Sequence, residues 1–255
     1  MIIPNSIYLG DCLDLMKDIP DNSIDCIICD LPYGTTECTW DSIIPFEKLW
    51  EQYIRITKLT APILLFGTEP FSTTLRMSML DLFRYDLIWV KNKVTYYLEA
   101  KNRPMRRHEK ISVFSKSKFS NGCKTKMTYN PQGLIRCDIK ARNTDSSSVY
   151  GARKCRAGNT IYTQEYTNYP DDVIYFETET NNIHPTAKPV DLLRYLVLTY
   201  SNPDDVILDN TCGAGSTLIA CIKEKRRWIG IEKDEKYFEI AKKRVNNELS
   251  QLTLF

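Results

Sequence analysis

The chain has 255 residues, 43% of them hydrophobic, and a formal net charge of +2. That length allows one sizeable core with room for an inserted subdomain. The opening MIIPNSIYLG lacks the basic start and sustained apolar run of a signal peptide, and no apolar run approaches membrane-spanning length, so a cytoplasmic protein with no membrane segment is expected, in a bacterial cell or, for a virus-encoded gene, its host. Nine cysteines in a chain of this size are expected as reduced thiols rather than a disulfide framework.

In chain order, SIDCIICD reads as the first strand. It contains a C-x-x-C at Cys26 and Cys29, but residues three apart on a strand point to opposite faces, which favours buried thiols over a metal or redox pair. The strand stops on Asp30, and Leu31, Pro32 and Tyr33 follow at once. A helix at FEKLWEQYIRIT and strands at APILLFG, YDLIWV and KISVFSK come next. His108, in HEKIS, has no second histidine four residues on, and Cys123, Cys137 and Cys155 are irregularly spaced with no nearby histidine, so no metal site is expected.

Charge is unevenly distributed along the chain. From Lys91 to Arg156 there are 17 Lys or Arg against 4 Asp or Glu, an excess of 13 inside an otherwise acidic chain. This is the pattern of a polyanion-binding face, and equally of a solvated basic loop region. Apolar periodicity fades between 117 and 182, where tyrosines at 129, 150, 162, 166, 169 and 175 could stack on bases or form a small core.

Regular structure resumes with the helix KPVDLLRYLVLTY, and then DVILDNTCGAGSTLIACIKEK runs from strand through a glycine-bearing loop into helix. Gly213 and Gly215 let the backbone turn tightly, and the helix N-terminus near Ser216 offers free amide donors. The next strand, RWIGIE, ends on Glu232, which is placed to accept hydrogen bonds from ribose hydroxyls. The last helix, DEKYFEIAKKRVNNEL, sets Phe238, Ala241, Val245 and Leu249 on one face. Alternating strand and helix predict an α/β fold: a Rossmann-like, mostly parallel sheet with helices on both faces. From these residues alone the nucleoside could belong to NAD, FAD or S-adenosylmethionine.

D-L-P-Y at 30 to 33 resembles the D-P-P-Y signature of amino-group DNA methyltransferases, which move a methyl from S-adenosylmethionine to adenine N6 or cytosine N4. Its position ahead of the glycine loop resembles the permuted order of the beta class, and HPTAKP at 184 to 189 is similar to that class's H-P-T-x-K-P. GDCLDLM resembles the family's G-D-C segment, and WVKN and RRHEKISVFSK its middle strands. Leu31 stands where the family has proline, and Asn210 and Thr211 stand where its loop reads Pro-Phe.

The resemblance implies an S-adenosylmethionine-dependent methyltransferase fold divided into a target-base part at 1–116, a target-recognition insertion at 117–182 and a cofactor-binding part at 183–255. It implies Asp30, Leu31, Pro32 and Tyr33 as the catalytic segment. For the cofactor it implies Asp11, Cys12, Asp30, His184, Lys188, Asp209, Thr211, Gly213, Gly215, Ser216, Thr217, Glu232 and Lys233, and for DNA Lys91, Lys101, Arg103, Arg106, Arg107 and His108. The acid at position 30 favours adenine N6 over cytosine N4 as the methylated atom. Cytosine C5 chemistry needs a cysteine nucleophile, typically in a Pro-Cys pair, and the chain has none. A nicotinamide-dependent oxidoreductase accounts for the glycine loop and Glu232 but not for D-L-P-Y, and a catalytically silent DNA-binding module is the other alternative. Double-stranded DNA is the expected partner, while a homodimer and a cognate restriction endonuclease stay open.

Overall fold

The computed structural model describes residues 2–34, 42–120, 122–142, 161–179 and 187–251, with backbone alone at 146–148, 151–153 and 252. It begins with β1 (Ser6–Leu9), α1 (Cys12–Leu15), β2 (Cys26–Cys29), α2 (Phe46–Ile56), β3 (Pro62–Gly67) and α3 (Phe71–Ser78). A long hairpin, β4 (Phe83–Thr95) and β5 (Arg106–Ser115), leads to β6 (Ile135–Arg142), β7 (Ser146–Ser148), β8 (Gly151–Arg153), β9 (Ile161–Thr167) and β10 (Val173–Tyr175). The chain continues through α4 (Val190–Tyr200), β11 (Val206–Asp209), α5 (Ser216–Lys223), β12 (Arg227–Glu232) and α6 (Glu235–Leu252). Among the described residues no helix is long and apolar enough to cross a membrane.

The larger unit, residues 1–130 and 172–255, is built on an eight-stranded sheet in the order β1-β12-β11-β2-β3-β5-β4-β10. Only β5 runs against the others. Strand periodicity divides the core into two layers. Cys26, Ile28, Leu64 and Phe66 pack with α4 and α5 on one face, while Ile27, Cys29, Ile63 and Leu65 pack with α2 and α3 on the other. Cys26 and Cys29 therefore lie on opposite sides of the sheet.

Each helix presents a stripe to this sheet. In α2 the buried residues are Leu49, Trp50, Tyr53 and Ile56, one face of a 3.6-residue period. Every described residue of α5 from Ser216 to Ile222 is buried, as befits a helix wedged between α4, α6 and the sheet. In α6, Ala241 and Val245 are buried, but Leu249, expected on the same face, is exposed. At 18 residues, about 27 Å, this helix outruns the six-residue β12 on which it packs.

A second unit, Pro131–Asp171, holds an antiparallel ribbon of β6 and β9 and the short β7–β8 pair. A register irregularity falls between Arg136 and Ile139, where Asp138 adopts a positive φ of 47°. Ile135, Ile139, Ile161, Tyr162 and Tyr166 are exposed, so these tyrosines do not form a small core. This unit is narrower than the expected 117–182 insertion. Met127 and Ile174 are buried in the main core and β10 pairs with β4, which ties both flanks of the insertion to the larger unit.

Candidate active site

Because β1, β12, β11 and β2 are parallel neighbours, their carboxyl ends form one edge, and the residues that leave that edge open a cleft of about 890 Å³. Such an edge is where open α/β sheets receive ligands. Glu232 ends β12, Asp209 ends β11 and Asp30 follows β2 directly. Strands lie about 4.8 Å apart, so Glu232 and Asp30 sit roughly 10 Å from one another along the edge, the reach of a nucleoside with a short tail.

The Glu232 end is built from backbone. Glu232 Oε2 accepts from Gly213 N–H at 2.7 Å and Oε1 accepts from Asp234 N–H at 2.8 Å, leaving lone pairs for a diol. Burial raises its pKa against these two donors. Gly213 and Gly215 have φ of 51° and 77°, the left-handed region that admits glycine without strain. A Cβ at Gly215 would also lie 3.1 Å from the Ala241 side chain of α6. Asp11 caps α1 through Leu13 N–H at 2.9 Å and pairs with Lys233 at 3.1 Å, and Cys12 lies beside it, its thiol pushed up to about 11 by burial.

Asp209 is 4% exposed, and burial pushes its carboxyl up to about 7 although Thr217 and the Thr211 N–H bond to it. Thr211 also ties the two strand tips together. Its hydroxyl donates to the Asp30 carbonyl at 2.9 Å, and Cys29 Sγ lies 2.9 Å from Thr211 Oγ1.

At the Asp30 end the polar groups form a chain. Tyr33 donates its hydroxyl to Asp30 Oδ1 at 2.5 Å, and Lys188 donates to Asp30 Oδ2 at 2.5 Å. The Lys188 ammonium lies 3.5 Å from Glu109 Oε2, and Glu109 Oε1 accepts from Lys91. Burial alone would lower Lys188 and raise Glu109. The opposite charges win, so Lys188 is raised and Glu109 lowered, and both are charged in the resting site. The Tyr33 ring packs on Phe71 with centroids 4.8 Å apart, and burial raises its hydroxyl beyond the ordinary phenol range.

Comparison with known proteins places this cleft in context. A family model described as DNA methylase, of the N6 and N4 type, matches residues 24–243. The chain belongs to this DNA methylase family. It is 29% identical to Type II methyltransferase M.HinfI of Haemophilus influenzae over 94% of the chain and 68% of that protein. Its fold is that of the M1.HpyAVI-SAM complex, with a TM-score of 0.62 at 20% identity over 94% of this chain and 98% of that one. The fold is shared equally with the cytosine-N4-specific PvuII DNA methyltransferase, at a TM-score of 0.64 and 13% identity over 96% and 91% of the two chains. Membership sets aside the nicotinamide-dependent alternative.

In this methylase most of the residues named from sequence meet in one cleft: Asp11, Cys12, Asp30, Leu31, Pro32, Tyr33, Asp209, Thr211, Gly213, Ser216, Thr217, Glu232 and Lys233 all line it. Gly215 is the cap behind them, at the start of α5. His184 lies outside the described residues.

Two lysines named from sequence also line the cleft and sit in ion pairs there. Lys188, named for the cofactor, bonds to Asp30 at the β2 tip. Lys91, expected on DNA phosphates, has a side chain only 15% exposed, lies over the Trp89 ring and is neutralised by Glu109. The other basic residues sit on the β4–β5 hairpin, outside the cleft. Lys101, Arg107 and His108 are exposed, and Arg103 and Arg106 stack on Tyr96 at 4.4 and 4.8 Å.

Glu109 is the residue that sequence reading passed over. Strand alternation held the signal, since Glu109, Ile111 and Val113 share one face of β5 while His108 takes the other. Tyr53 also escaped notice, and Asn210 was named only as a departure from the family's loop. The Tyr53 hydroxyl donates to Asn210 Oδ1 at 2.6 Å inside the core, so Asn210 braces the cofactor loop where the family has proline.

Proposed function

We propose that this methylase transfers a methyl group from S-adenosylmethionine to adenine N6 of a base turned out of double-stranded DNA. The observation that carries the reading is the Asp30 carboxylate, held between Tyr33 and Lys188 and two strands along the same edge from Glu232.

The described residues fit the cofactor. Glu232 offers free lone pairs at the right strand tip, the loop at Gly213 and Gly215 admits close approach, and Asp209 faces the middle of the cleft. When bound, S-adenosylmethionine supplies an electrophilic methyl on a sulfonium that leaves as a neutral thioether. The chain's own work is on the amine. An exocyclic adenine amine is a poor nucleophile because its lone pair is delocalised into the ring. Asp30 and the Leu31 carbonyl accept from its two N–H groups, which favours the pyramidal nitrogen that develops in the transition state. Asp30 need not remove a proton beforehand, since the amine turns acidic only as the new bond forms.

Pro32 fixes the loop, and Tyr33 offers a ring beside the acceptors. Turning the base out costs a few kcal/mol, partly offset by contact with that ring and by the basic hairpin on the phosphates. The unit at 131–171 carries target recognition in this reading.

The experiment is incubation with methyl-labelled S-adenosylmethionine and unmodified genomic DNA, followed by nucleoside separation. Label in N6-methyladenine is expected. Label in N4-methylcytosine would transfer the assignment to that base, and no label in DNA would overturn the reading. Asp30→Ala should lower transfer by about 10³-fold or more while changing cofactor affinity less than about threefold, the signature of an interaction made only in the transition state.

A further inference from the structure

We infer that Lys188 is a positioning residue for Asp30, anchored in turn by Glu109 and Lys91, and is not a cofactor ligand. This rests on the proposed methyl transfer and deepens it. Lys188 is 8% exposed, and its ammonium lies 2.5 Å from Asp30 Oδ2 and 3.5 Å from Glu109 Oε2. The ring faces of Phe66 and Tyr33 lie 5.1 and 6.0 Å from it. A lysine offers three N–H donors and no acceptor, so it can hold two carboxylates but cannot take a proton from the reacting amine while charged.

The geometry gives each member a distinct task. A carboxylate has about four lone-pair directions, of which Tyr33 fills one on Oδ1 and Lys188 one on Oδ2. Asp30 itself lines the cleft, and its carboxyl group cannot rotate without breaking one of these two bonds. Glu109 Oε2 is buried and makes no hydrogen bond of its own, so its one strong interaction is the Lys188 charge. Lys91 neutralises the other Glu109 oxygen. Charges therefore alternate from β2 through the segment before α4 to β5 and β4, and the quartet is neutral as a whole. A buried quartet of this kind costs desolvation and does little for stability on balance, which makes orientation of Asp30 its better explanation.

The test uses the full chain under single-turnover conditions with saturating cofactor, alongside cofactor affinity by equilibrium dialysis. Lys188→Met should slow methyl transfer about 10²-fold, the usual consequence of a reacting group displaced by about 1 Å, with cofactor affinity changed less than about threefold. Lys188→Arg, which keeps a donor but not its point geometry, should recover about tenfold of that loss. Glu109→Gln should slow transfer about tenfold by releasing the far anchor. Loss of cofactor affinity with an unchanged transfer rate would overturn the inference, as would a Lys188→Met enzyme at full rate. Should Lys188→Met fail to fold, Glu109→Gln decides, and full transfer by that variant overturns it. Wild-type protein run in parallel separates the two readings: an inactive wild type defeats the proposed function, whereas an active wild type with equally active variants defeats only the role of Lys188.

Discussion

At the scale of single residues, the site is a set of carboxylates whose surroundings differ. Asp30 and Glu109 are matched by lysines, Glu232 is matched by backbone amides, and Asp209 has hydrogen bonds but no ion pair among the described residues. Burial therefore moves Asp209 most, from its ordinary 3.8 to about 7. The folded chain then binds more protons than the unfolded one between those two values. The contribution of this group to stability is complete below about pH 4 and is lost as pH rises through about 7. In the ligand-free protein Asp209→Asn should reduce the fall in stability between pH 5 and pH 8 by on the order of 3 kcal/mol, measured by urea unfolding at the two pH values. An identical fall in both proteins would show that Asp209 is ionised throughout. Asp30, Asp209 and Glu232 could be named from sequence because they stand at predicted strand ends, and Tyr33 because it follows Pro32 directly after one. Lys188 was legible as a residue but not in its direction, which depends on the path of a segment with no periodicity of its own.

At the scale of elements, the loop between β11 and α5 shows how tightly local conformation and packing are coupled. Gly215 combines a positive φ with a 3.1 Å approach to Ala241, so Gly215→Ala should cost about 1–2 kcal/mol from backbone strain, with added crowding against α6. Thermal melting should show a fall of several degrees, and cofactor affinity should weaken with it; a variant as stable as wild type would mean that α6 gives way freely. The strands and helices with strong periodicity, β2, β3, β5, β11, β12, α2, α4, α5 and α6, were all readable from the sequence. Those that escaped were β1 and α1, each only four residues long, α3, whose FSTTLRMS is mostly polar or small, and β6 to β10, which lie where apolar periodicity fades. The extension of β4 to Thr95 also escaped, since Lys91, Asn92 and Lys93 break the apolar pattern and the strand is sustained by pairing with β5.

At the scale of the whole molecule, the chain forms two compact units of different construction. The larger has two apolar layers and the cleft, and the described residues of the unit at 131–171 lie on exposed strands and include no buried apolar layer. Replacing residues 132–170 with a flexible glycine-serine linker should therefore leave the melting transition and cofactor affinity close to wild type while methylation loses its sequence preference, read by long-read sequencing of treated DNA. Unchanged preference would put recognition in the larger unit. The limits of this second unit were not readable to better than about a dozen residues at either end, because β10 and the stretch around Met127 are polar-flanked segments that belong to the main core only through long-range pairing.

The uneven matching of those carboxylates also bears on turnover. Lys188 and Lys91 neutralise Asp30 and Glu109, while among the described residues Asp209 and Glu232 make no ion pair. In the proposed methyl transfer, the negative charge these two carboxyls carry holds a cationic donor more firmly than the uncharged thioether that remains, so the chemical step would itself loosen the spent molecule and clear the pocket for the next round.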